Sequence, residues 1–387
     1  MIYLLIEFID ELVFGVQEAA WPLIRADLGL TYAQIGILLG LPGIIASFIE
    51  PFLGILGDTW KRRVLILGGG AFFVLSLLLV ASSQSFVPLL LAVILFNPSS
   101  GAFVSLSQGT LVDSEPEREE LNMARWTFAG SLGVTLGPFL LMGMLAIGWG
   151  WRPAYLLLAA LAALALFFAV RHIPHAGRPQ ADFPSLADFW QNVKKAFGQL
   201  KNKAILRWLI LLEFADLMLD VLLGYLALYF VDVAGFAPET AGWAVIVWTV
   251  VGLLGDFLLI PLVKRVRGLD YLRISVIAEL ILFPLFLISS PPWLKLVLVA
   301  LLGLFNSGWY AILKANLYAE LPGQPGTVLV LDNVSGMFGK LLPLGLGLAA
   351  DTFGLNAAMW LLLAGPVALF IGLPRQKSKV ESRTIDL

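Results

Sequence analysis

Apolar runs of 20 or more residues follow one another along almost the whole of this chain, separated by short polar stretches. A helix needs roughly 20 apolar residues to cross the hydrocarbon core of a bilayer. The runs sum to about 290 residues, room for about a dozen crossings. Only 13% of the residues are charged, half the share of about 25% in soluble domains. A water-soluble globular enzyme is thereby excluded. In lipid, backbone groups must pair internally, which leaves helices or closed barrels. The runs are far longer than barrel strands of about 10 residues. The expected fold class is therefore an all-α polytopic membrane protein with twelve transmembrane helices. They are expected at 2–24, 31–56, 63–82, 86–110, 121–147, 152–171, 204–231, 238–263, 270–290, 293–319, 325–350 and 354–373.

Lys and Arg set the orientation. With the N-terminus inside, twenty of the 25 lie in inside segments, and Arg25, Arg152 and Lys295 lie outside. Lys314 and Lys340 fall within spans. This asymmetry places both termini in the cytoplasm, and the plasma (inner) membrane is the expected location. The first run carries acids and no basic leader precedes it, so it is expected to stay as a span.

One connection is long. Residues 172–203 are expected to form a cytoplasmic linker between a half at 1–171 and a half at 204–374, with a cytoplasmic tail at 375–387. Within the linker, Ser185 and Asp188 have capping-box spacing. Leu186, Phe189, Trp190, Val193, Phe197 and Leu200 then recur at helical spacing beside four lysines, the pattern of an amphipathic surface helix.

The halves repeat. Leu5-Ile6-Glu7-Phe8-Ile9-Asp10 matches Leu211-Leu212-Glu213-Phe214-Ala215-Asp216 at an offset of 206, and Gly130, Gly133 and Gly148 match Gly336, Gly339 and Gly354 at the same offset. Two pseudo-symmetric six-helix halves follow. Internal repeats of this kind mark many secondary transporters, whose sites lie at the repeat interface.

Charges within spans are expensive and are functional candidates. Span 1 carries Glu7, Asp10, Glu11 and Glu18. At 100° per residue, Glu11 and Glu18 lie about 40° and about 20° from Glu7, on one stripe. Span 7 repeats the device with Glu213, Asp216 and Asp220. Facing helices would bring these acids to one cavity on its cytoplasmic side, where a carboxyl group holds a proton or a cation in competition. Asn97 in Asn97-Pro98-Ser99-Ser100, and Asn306, Trp309, Tyr310 and Lys314 in span 10, are further substrate-contact candidates. An aromatic ring beside a polar face can hold an organic cation, although aromatics at helical spacing also simply pack. Glu50, Asp256, Glu279, Asp332 and Lys340 complete the polar residues within spans.

Span 2 ends Gly54-Ile55-Leu56-Gly57-Asp58-Thr59-Trp60-Lys61-Arg62-Arg63-Val64-Leu65-Ile66. This resembles the loop signature between spans 2 and 3 of the major facilitator superfamily. Gly54, Leu56, Asp58, Arg62, Arg63 and Ile66 match, whereas Thr59 and Lys61 depart from it. The resemblance implies gating roles for Gly54, Asp58, Arg62 and Arg63. Gly130, Gly133, Gly137 and Pro138 resemble the span-5 motif of the family's antiporters, and small-residue packing explains the same residues equally well. Gln108-Gly109 is present in span 4, but Ser105 stands where the proton-antiport motif has an arginine.

The function expected is secondary active transport by alternating access, with proton-coupled export of a small cationic or amphiphilic compound. Within that class, proton-coupled uptake of a neutral solute and export of a divalent metal also fit. An intramembrane enzyme, with Asp10 and Asp216 as paired acids, or a non-transporting receptor or scaffold stand as other classes. No cofactor is expected: the chain has no Cys, only His172 and His175, and no nucleotide-binding loop. The partners expected are a small-molecule substrate, protons as the coupling ion and the lipid bilayer. The chain is expected to act as a monomer, and the net charge of −2 gives no sign of nucleic acid.

Overall fold

The computed structural model describes residues 1–59, 61–114, 119–173, 194, 198–321 and 325–374. The linker residues Ser185 to Phe197 named above and the tail 375–387 lie outside these residues, as do the side chains of Asp58 and Asp332. The helices are α1 (Ile2–Leu28), α2 (Tyr32–Thr59), α3 (Arg62–Ser82), α4 (Phe86–Ser114), α5 (Glu119–Ala146), α6 (Trp151–His172), α7 (203–232), α8 (Gly242–Leu262), α9 (Gly268–Ile288), α10 (Pro292–Glu320), α11 (325–353) and α12 (Leu355–Gly372). Among the described residues there is no strand. Nine of these helices are long and apolar enough to cross a membrane on composition alone. The other three, α1, α7 and α11, hold most of the candidate acids and Lys340.

Expected and observed boundaries mostly agree within a few residues. The eighth helix starts at Gly242, four residues later than expected, because a turn comes first, with the Thr240 N–H donating to the Ala237 carbonyl at 2.9 Å. The larger difference lies inside the helices, where the sequence suggests unbroken spans. A π-turn occupies Gly101–Ser105 in α4, after Pro98, and another occupies Leu217–Val221 in α7. Helix α10 stops at Asn306 and restarts at Trp309, because Gly308 takes a left-handed backbone with φ 74°. Helix α11 pauses after Gly339 and restarts at Leu342, and α12 tightens to a 3-10 turn at Trp360–Leu363. Such interruptions often mark functional segments of helices.

Close backbone packing joins α1 to α5. A Cβ on Gly133 would lie 2.4 Å from the Phe8 carbonyl oxygen, and one on Gly137 would lie 2.6 Å from the Val16 nitrogen. Reciprocally, a Cβ on Gly15 would lie 2.4 Å from the Val134 carbonyl oxygen and 3.0 Å from Pro138 Cδ. Small residues are what permit this approach. The repeat is visible in the backbone: Gly148 and Gly354, 206 residues apart, both take positive φ, at 78° and 84°.

Phe72, Phe128, Phe257 and Phe370 are among many large apolar side chains exposed on the outside of the bundle, as a lipid-facing surface requires. Lys295, expected in an outside loop, is instead only 2% exposed. The turn into α10 directs its Nζ inward, donating to the Tyr229 hydroxyl and the Phe286 carbonyl, both at 2.7 Å. It sits over both rings.

Candidate functional site

The two halves meet tightly at the end of the bundle away from the chain termini. Gly36 and Gly40 of α2 lie against α11, where Cβ atoms would fall 2.5 Å from the Pro343 carbonyl oxygen and 2.1 Å from that of Lys340. On α11, a Cβ on Gly347 would lie 2.3 Å from the Tyr32 carbonyl oxygen. Beyond these, Arg25 Nη1 pairs with Asp232 Oδ2 at 2.7 Å, and the Tyr32 hydroxyl donates to the same carboxylate. Asp351 of α11 accepts from the Tyr32 and Ala33 backbone N–H groups at 2.8 Å each. It thereby caps a helix belonging to the other half. Phe139 and Trp243 meet edge to face between α5 and α8.

Replacing Asp232 with asparagine is expected to loosen this seal. The pair is about 70% buried on each side, and a partly exposed ion pair contributes about 1 kcal/mol. The open far end should then gain about fivefold in population. The chain has no Cys, so spin labels at Ile147→Cys and Phe353→Cys would report that opening as a longer distance.

On the terminal side of the seal lies a cavity of about 440 Å³ between the halves. Its polar wall comprises Gln17 and Glu18 of α1, Asn97 of α4, Glu213, Asp216 and Asp220 of α7, Tyr310 of α10 and Lys340 of α11. Phe14, Leu38, Leu39 and Phe96 supply apolar wall. Asp216 and Asp220, one turn apart, both line the cavity across the start of the α7 π-turn. Two neighbouring carboxyl groups can hold one proton between them. Glu213 accepts from Ser335 Oγ at 2.7 Å and covers Gly339, whose Cβ position is 2.0 Å from its Oε2. Lys340 Nζ donates to Ser47 Oγ at 2.6 Å and to the Gly43 carbonyl at 3.1 Å, reaching from one half into the other.

The acids of α1 are not all in this cavity. Glu7 is buried against Gly130, with Trp126 beside it. Glu11 lies over Gly130 and Gly133. Asp10 accepts from Ser100 Oγ at 2.8 Å, next to the π-turn of α4, and Glu50 rests on Gly101 of that turn. The acids therefore form two groups. Glu7, Asp10 and Glu11 lie toward the chain terminus among α1, α4 and α5, while Glu18 and the three acids of α7 face the cavity.

The remaining candidates separate as well. Asn97 lines the cavity, although its Nδ2 donates to the Val93 carbonyl within its own helix at 3.1 Å. Asn306 is buried and donates to the Met218 carbonyl at 3.2 Å, bracing the α7 π-turn from the break in α10. Trp309 is fully buried, with Nε1 donating to Ser275 Oγ at 2.8 Å, so it packs the second half and does not line the cavity. Tyr310 does line it, with Lys314 Nζ 5.5 Å from its ring centre.

Two halves of six helices closing over one polar cavity is the architecture of known transporters. The profile of the Major Facilitator Superfamily matches residues 3–343. The chain belongs to the major facilitator superfamily. Over 364 residues it is 24% identical to the uncharacterized MFS-type transporter YfnC of Bacillus subtilis (strain 168), covering 89% of this chain and 84% of that protein. It is 24% identical over 179 residues to the fosmidomycin resistance protein of Escherichia coli (strain K12), so the match spans less than half of each: 45% of this chain and 44% of that protein. The crystal structure of the nucleoside transporter NupG superposes with a TM-score of 0.75 at 16% identity, covering 96% of this chain and 97% of NupG. As a superfamily member the chain is a multi-pass transporter of small molecules, and the intramembrane-enzyme reading is set aside.

The superfamily loop after α2 is partly described. Arg62 Nη1 pairs with Asp113 of α4 at 2.7 Å, and its Nε donates to the Gly57 carbonyl at 2.9 Å. Arg63 donates to the Val170 carbonyl of α6 at 2.6 Å. Gly54 has open space at its Cβ position. These contacts tie the loop to its own half. Sequence reasoning passed over Gln17 and the Gly36–Gly40 seam, although G-x-x-x-G in an apolar helix is a known sign of close packing.

Proposed function

We propose that the chain exchanges protons for small cationic or amphiphilic compounds and exports them across the plasma (inner) membrane. The observation that carries this reading is the cavity wall. Glu18 from one half and Glu213, Asp216 and Asp220 from the other line one space, with Lys340 as a cation at its edge. A proton and a cationic substrate compete for the same carboxylates, so release of one accompanies uptake of the other. The apolar wall of Phe14, Phe96 and Leu39 suits the body of an amphiphile. The Lys and Arg asymmetry puts the sealed end outside, which makes this a state closed to the exterior. The two six-helix units at 1–171 and 204–374, joined by 172–203, are the bodies that rock. Similarity to a fosmidomycin resistance protein supports export.

The test is proton release from proteoliposomes that contain a pH dye. Adding a lipophilic cation should release protons from the wild type. Glu213→Gln retains a partner for Ser335 but loses the exchangeable charge, and should release at least tenfold less. Silence from folded wild-type protein with every cation tried would sink the reading.

A further inference from the structure

We infer that Glu18, with Asp220, forms a subsite for the protonated amine of the substrate, and that this subsite demands N–H donors on the cationic nitrogen. The inference rests on the cation-exchange reading above and specifies its substrate. The repeat shows how the subsite arises. The offset of 206 maps Glu18 onto Gly224 and Phe14 onto Asp220. Glu18 Oε2 lies 3.5 Å from the position that a Cβ on Gly224 would take. This acid of one half, together with Leu39 Cδ1 at 3.0 Å from the same position, thus packs over the other half where its own counterpart has no side chain. One turn before Gly224 on α7 stands Asp220, within electrostatic reach of Glu18.

Glu18 is only 2% exposed yet lines the cavity. Its Oε2 has no hydrogen-bond partner among the described residues. A buried acceptor left unpaired is unfavourable, so the position calls for a donor. The groups around it are Asp220 on α7, Gln17 and Trp21 on α1 and the Tyr155 ring on α6, and none of them is a cation. A primary or secondary ammonium brings both the positive charge and an N–H. A quaternary ammonium brings the charge wrapped in methyl groups and leaves Oε2 unpaired. Entry of one protonated amine displaces one proton from the acid pair, so the charge in the cavity is unchanged. The two carboxylates come from opposite halves, so an amine between them also bridges those halves.

Two probes with one body separate charge from donor: 4-phenylbutylamine and its N,N,N-trimethyl analogue. Affinity for purified protein would be read by calorimetry, and proton release from proteoliposomes. The wild type should bind the amine at least about tenfold tighter than the analogue. In Glu18→Gln that ratio should fall to about one. Asp220→Asn removes the second carboxylate of the subsite and should also reduce the ratio, so it decides the matter if Glu18→Gln does not fold. Equal affinities in the wild type, or a ratio untouched by the variants, would overturn the subsite. If both probes release protons equally, the exchange reading stands and only the subsite fails. If neither binds nor releases protons from folded protein, both fail.

Discussion

Gly40→Ala is expected to remove at least nine-tenths of transport while leaving the protein folded. The added Cβ would sit 2.1 Å from the Lys340 carbonyl oxygen, and a backbone atom cannot rotate out of the way. Helices α2 and α11 must then separate at the point where the far end seals. Overpacking of this kind costs about 1–3 kcal/mol, and 3 kcal/mol is more than a hundredfold in an equilibrium. Transport needs both states, so a transporter that cannot close one end stalls. Spin labels at Ile147→Cys and Phe353→Cys should show the lengthened distance directly. Gly143→Ala is the control, because its Cβ position is empty within 4 Å. Wild-type distance and flux in Gly40→Ala would show that the seam is not the seal.

The second large effect is expected at the neighbouring acids Asp216 and Asp220. Asp216→Asn or Asp220→Asn keeps a donor and an acceptor at the site, since an amide can replace the protonated carboxyl. The helix and its π-turn should therefore survive. What is lost is the shared, exchangeable proton. Each single variant should cut cation-driven proton release at least tenfold, and the double variant should do little more, because residues that act as one unit are not additive. Independent, multiplying losses in the double variant would mean that the two acids work separately.

Much of this was legible in the sequence. Length and apolarity gave the twelve helices, and the return of Glu7-Phe8 and Asp10 as Glu213-Phe214 and Asp216 gave the two halves. The acids of α1 and α7 were visible as costly residues in apolar runs. The division among them was not. Glu7 and Glu18 lie about 20° apart around the helix axis, but eleven residues separate them by about 16 Å along it. Angular position therefore grouped acids that depth separates. The π-turns escaped because they share no one compositional mark: Pro98 and Gly101 stand at the turn of α4, but Leu217–Val221 itself holds no Pro or Gly, and Gly224 lies three residues beyond it. Trp309 and Lys295 were misplaced for one reason. Span and loop membership does not tell which way a side chain turns, and both turn into the core of the second half.

Asp351 capping α2 gives the transport cycle a reporter that requires no label. The Tyr32 and Ala33 amides are held by a carboxylate from the opposite half, so their protection lasts only while the far end is shut. The neighbouring turn has its own support, with the Thr31 N–H donating to Gln34 Oε1 at 3.0 Å and the Gln34 N–H to Thr31 Oγ1 at 3.2 Å. Opening would thus release two adjacent amides without unwinding the helix. Their hydrogen–deuterium exchange, measured against that of Gln34, counts the fraction of time the far end stands open.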